Sequence, residues 1–126
     1  MTSTVDILGF FAATSARTDD EVLRLGDAAF AHAAVTELPT TLSIAVVVVY
    51  AAAATDEVSF AIGLQRPDGS RSERRHGLTV VTPGRYAHLD VPVDVFEEGG
   101  HALLLHPLAD TATTLATYPF GVGLSH

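Results

Sequence analysis

Histidine, carboxylate and arginine are the side chains through which this sequence could do chemistry, and their spacing limits what each can do. The six histidines are His32, His76, His88, His101, His106 and His126. A metal site would need three or four ligands converging on one point. His101 and His106 are five apart, and on a regular strand such residues point to opposite faces, so they are not expected to share a metal. Tyr86, His88, Asp90 and Asp94 do share a face under strand alternation. Tyr86, His88 and Asp90 are therefore the candidate metal ligands, to be completed by a neighbouring strand. The plainer reading of the same residues is the solvent face of an edge strand.

Three acidic clusters, Asp19-Asp20-Glu21, Asp56-Glu57 and Glu97-Glu98, fall where turns are expected. If those turns met at one end of the molecule they could hold calcium through oxygen ligands. Acids also sit in turns simply because turns are wet. Nucleophilic chemistry has little to work with. There is no cysteine, which excludes disulfides and thiolate metal sites, and there is no Gly-x-Ser-x-Gly elbow. No glycine-rich phosphate loop occurs either. The expectation is a non-enzymatic protein without a cofactor. A metal-dependent binding sandwich and a small enzyme with a site between its sheets are the alternatives.

Charge is unevenly distributed. Seven arginines and no lysine face fifteen acids, for a net charge of −8. Arg66, Arg71, Arg74 and Arg75 lie within Arg66–His76 against Asp68 and Glu73, a local +2, which leaves −8 − 2 = −10 on the rest. Such an arm could dock an acidic protein partner or a second copy of the chain, and these four arginines are the candidate partner-binding residues. It could equally be an edge kept charged against aggregation. The acidic balance argues against non-specific binding to nucleic acid or to an anionic membrane surface.

The elements that must position these groups read as strands. Leu42–Ala54 is an apolar run whose middle, Ile44–Tyr50, is β-branched and aromatic, without alternation. It is expected to be a central strand covered on both faces. It is too short for a membrane helix, which needs about 20 apolar residues. Val5–Ala13 is a first strand with a bulge expected at Gly9. Thr14–Glu21 reads as a polar turn. Val22–Val35 is split near Gly26-Asp27, and its alanine-rich second half, 27–35, competes between helix and strand. Val58–Gln65 alternates as a half-buried strand, and Arg66-Pro-Asp-Gly69 is a turn leading into a polar return arm. Arg85–Val95 and Thr113–Gly123 contain Pro92 and Pro119, which confine them to edges or bulges.

The outline resembles a family of small bacterial β-sandwich proteins of unknown function. The resemblance rests on Ile7–Ala13, Val22-Leu-Arg-Leu-Gly26, Leu38-Pro39, the strand Leu42–Tyr50, Leu64–Gly69, Gly99–Leu105 and Tyr118–Val122. It covers almost the whole chain. It implies a fold and carries no activity or site.

The expected architecture is one domain, residues 1–126, all-β: an antiparallel β-sandwich of Ig-like or C2-like type. About seven or eight strands are expected, with one short helix near 27–35 as an option. A chain of this length buries roughly two-thirds of its unfolded surface and needs no staples. The lack of cysteine and of a leader-like N-terminus points to the cytoplasm.

Overall fold

Thr40–Ala52 forms the strand β5, and Ile44–Val48 within it is buried on both faces, as the unbroken apolar run requires. The computed structural model describes residues 5–20, 22–52, 57–81 and 85–125. Glu21, Asp56, residues 82–84 and His126 lie outside the described residues. β5 is the middle of a three-stranded sheet, between β1 (Val5–Ala13) and β8 (Tyr86–Val95), both antiparallel to it. The expected bulge is present. Leu8 is the extra residue where the register slips between Ile7 and Gly9.

A five-stranded sheet packs against this one in the order β4-β10-β9-β6-β7. Its strands are β4 (His32–Val35), β6 (Glu57–Gln65), β7 (His76–Val81), β9 (Gly99–Pro107) and β10 (Ala116–Leu124). The core between the sheets holds Ile44, Val46 and Val48 of β5, Ile62 of β6 and Leu103 and Leu105 of β9. Burying such side chains contributes about 1.5–3 kcal/mol each. The fold is a β-sandwich of ten strands among the described residues, more than the seven or eight expected, and no helix there is long and apolar enough to cross a membrane.

One of the extra strands comes from Thr14–Glu21, expected as a turn. β2 (Ser15–Asp19) and β3 (Val22–Gly26) pair as an antiparallel hairpin. β2 is exposed except at Ala16, so no apolar alternation announced it. The hairpin lies against β5 and β8 on the outer face of the three-stranded sheet. There it accounts for the burial of Ala45 and Val47, which point away from the core.

The helix option near 27–35 is not taken. Asp27–Ala31 turns, with Asp27 and Ala29 at positive φ (43° and 58°), and His32–Val35 becomes β4. Alanine propensity is outweighed by pairing. β4 runs parallel to Gly121–Leu124, the one parallel pair in an otherwise antiparallel arrangement of described strands. Phe30, just ahead of β4, packs edge-on against Tyr118 and Phe120, and the Tyr118 hydroxyl donates to the Phe30 carbonyl. β6 also differs from expectation. It is buried on both faces from Phe60 to Leu64, because Gly63 sits against the ring of His106.

Candidate functional site

The arginine arm is not a strand. Gln65 and Arg71 form an isolated bridge, and Ser72–Arg75 has no ladder before β7 begins at His76. The turn closes as read, with Gly69 at φ 87° and its N–H donating to the Arg66 carbonyl. Asp68 braces it. Its carboxylate accepts from the Ser70 hydroxyl and N–H, and these bonds hold its pKa below the usual value.

The four arginines do not form one patch. The Arg66 guanidinium lies 5.5 Å from the Phe96 ring centroid, and its Nε is buried without a partner. Arg74 pairs with Asp94 of β8 at 3.9 Å. Arg71 and Arg75 are exposed and carry no ion pair among the described residues. Of the four candidate partner-binding residues, Arg66 and Arg74 thus have contacts within the fold, and Arg71 and Arg75 have no ion pair among the described residues.

Two of the metal candidates, Tyr86 and His88, meet at one hydroxyl. The Thr18 hydroxyl of the β2–β3 hairpin stands 3.3 Å from the Tyr86 hydroxyl and 3.4 Å from His88 Nε2. Asp90 is exposed beyond them. The face they share is thus half-covered by the hairpin, and Tyr86 and His88 serve to seat it. Among the described residues no three His, Asp or Glu are grouped to hold a metal.

The acidic turns lie apart. Glu97 and Glu98 follow β8 at the end of the sandwich where Val95 meets Thr40. Glu57 pairs with Val81 at the other end, where the Tyr50 hydroxyl reaches the Val81 carbonyl. Asp19 pairs with Arg24 at 3.4 Å across the hairpin. His101 and His106 lie on opposite faces of β9, as alternation requires. His101 stacks on Phe120, while His106 Nδ1 is 2.8 Å from the Thr113 carbonyl.

What spacing did not suggest is a cleft of about 510 Å³ beside the start of β5. β1 ends at Ala13, opposite Ala45, whereas β5 begins at Thr40. Thr40–Ile44 therefore pair with β8 alone. Across the gap stands β4, the end strand of the other sheet. Phe30, His32 and Ala34 line one side, Leu42 and Ser43 the other, with Asp27 among the lining residues. The signal available in the sequence was a length mismatch: a nine-residue first strand cannot cover a thirteen-residue partner.

The opposite flank of the sandwich has only a crevice of about 20 Å³, between β6, β7 and β8. Arg74 bridges to Asp94 there, and His76 is half-buried beside them. Burial first, and the Arg74 charge second, push the His76 pKa below its ordinary value.

No family model and no curated protein matches this sequence. Solved structures do. The chain is similar to part of a β-glucosidase from Listeria innocua bound to glucose, with a TM-score of 0.52 at 11% identity, covering 96% of this chain. The same enzyme bound to isofagomine matches with a TM-score of 0.52 at 10% identity over 98% of the chain. In both cases the chain spans 16% of the enzyme's length. An immunoglobulin-like protein from Pseudomonas aeruginosa matches with a TM-score of 0.49 at 14% identity, covering 95% of this chain and 97% of that one. At these identities the likeness to the β-glucosidase is one of fold.

Proposed function

We propose that this domain is a non-enzymatic binding module, cytoplasmic, whose arm at Arg66–Arg75 docks an acidic protein surface or a second copy of the chain. The observation that carries this reading is the pair Arg71 and Arg75: exposed, without ion-pair partners among the described residues, and set on a chain whose remainder carries −10. Charge complementarity of this kind sets the rate and register of docking more than its strength.

The test is the absolute mass of the protein by light scattering from low to high salt. Screening shortens to a Debye length of about 10 Å near 0.1 M, so an arm-to-body contact weakens over that range. The expected result is an oligomer that dissociates as salt rises and is abolished by joint Arg71→Glu, Arg74→Glu and Arg75→Glu reversal without unfolding. If the chain is monomeric at low salt, the same variant is compared with wild type for capture of an acidic partner. Association that ignores both salt and the reversal overturns the reading.

A further inference from the structure

We propose that the cleft between β4 and the start of β5 is a strand-docking groove. Its occupant is an extended segment of a partner protein, apolar at alternate residues and carrying a lysine or arginine beside Asp27. This goes beyond the arginine arm, which joins β6 to β7 at the other end of the five-stranded sheet.

The backbone of the cleft makes the case. The Tyr50 N–H donates to the Arg85 carbonyl, and the β5–β8 register runs unbroken from Thr40 to Val49. Even-numbered residues of β5 therefore direct their N–H and C=O groups to β8, and odd-numbered ones to the side of β1. β1 is missing opposite Thr41 and Ser43, so their donors and acceptors face the cleft and find no backbone partner there among the described residues.

The same reasoning applies across the gap. The Ala31 and Val35 carbonyls accept from Gly121 and Ser125 on the β10 side. His32 and Ala34 then direct their backbone groups outward. Two open strand edges thus border one cleft, each four to five residues long. A docked strand of that length spans about 13–17 Å at about 3.3 Å per residue. Main-chain pairing of this kind supplies affinity, while alternate side chains find pockets.

The lining selects the side chains. Leu42 and Phe30 line the cleft half-buried, which offers an apolar surface to alternate residues of the guest. Asp27 is exposed, carries no ion pair among the described residues, and none of the seven arginines lines the cleft. A cationic guest residue is the complement.

The test selects a displayed library of random nonapeptides on the wild-type protein and, in parallel, on Ser43→Pro and Ala34→Pro. Each proline removes an N–H that faces the cleft and no ladder donor. Either variant suffices if the other fails to fold. The expected winners are wild-type-specific, alternate in polarity, lack central proline and carry a lysine or arginine. A synthesised winner should slow amide exchange at Thr41 and Ser43 by roughly tenfold or more. Asp27→Asn, which keeps a side chain tolerant of positive φ, should weaken it roughly two- to fivefold. Absence of enrichment, equal enrichment on both proline variants, or a winner that leaves those amides unprotected overturns the proposal. If Thr41 and Ser43 are already protected in the free protein and lose protection on dilution, the occupant is a second copy and the assignment to a partner protein fails.

Discussion

The two flanks of this sandwich are finished in opposite ways. At the β7–β8 flank the gap between sheets is about 20 Å³; at the β4–β5 flank it is about 510 Å³. The closed flank carries a cross-sheet ion pair, Arg74 to Asp94, and a proline in its edge strand. Pro92 costs the ladder nothing. It pairs with Ser43, and by the alternation fixed at Tyr50 its nitrogen faces the outside of β8, so it deletes one donor from an exposed edge. Pro119 acts alike in β10, facing the side that β4 does not reach until Gly121. No proline stands at Thr41 or Ser43. The lesson is that this chain removes donors from the β8 and β10 edges by proline and leaves them in place where β5 and β4 border the cleft.

The largest effect expected on this contrast comes from the aromatic cluster that holds β4 in place. Phe120 is 3% exposed and touches Phe30, His101 and Tyr118. Phe120→Ala should cost about 3–5 kcal/mol in denaturant unfolding. Amides of β4 should then exchange faster than those of β7, and equal loosening of the two would erase the distinction between flanks.

Next is a proline scan of β5. Leu42→Pro removes a donor aimed at β8, whereas Ser43→Pro removes one aimed at the cleft. The first should be more destabilising by about 1–3 kcal/mol, the cost of an unsatisfied partner. Equal penalties would mean that the edge is already paired.

The closed flank has a smaller handle in pH. The His76 pKa is lower folded than the ordinary 6.5 of the open chain. The unfolded state therefore binds the proton more tightly, and stability falls as pH drops through 6.5 toward the folded value. His76→Gln should flatten the unfolding midpoint across that window. An unaltered slope would assign the pH dependence to other groups.

Two smaller effects complete the set. Asp94→Asn breaks a pair that is about half exposed on each side, so it should cost about 0–1 kcal/mol and less in high salt. Pro92→Thr should leave stability within about 0.5 kcal/mol, as a surface change does. Its expected signature is increased self-association by light scattering, since it restores a donor to the β8 edge.

Much of the fold was legible because burial writes itself into side chains. Ile44–Val48 needed cover on both faces and has it, and Val91, Val93 and Val95 face the core as their alternation required. β2 was illegible because its residues bury almost nothing; its pairing with β3 is a backbone matter. His32–Val35 was ambiguous because its strand character depends on residues almost ninety positions away. The site was harder still. The arginines could be found but not their partners, since Phe96 and Asp94 meet Arg66 and Arg74 only in three dimensions. The cleft is made of main-chain groups, which every residue but proline carries alike.

The parallel pairing of β4 with β10 has a consequence for the order in which the molecule assembles. Its register joins His32 to Gly121, a separation of 121 − 32 = 89 residues. Such a contact closes a long loop and is repaid late in folding. The hairpin β2–β3 and the β6–β7 pair can form from neighbouring chain, but β4 has no ladder partner until β10 arrives. The wall of the cleft is therefore among the last parts to be built, and a chain caught before that step would show no groove at all.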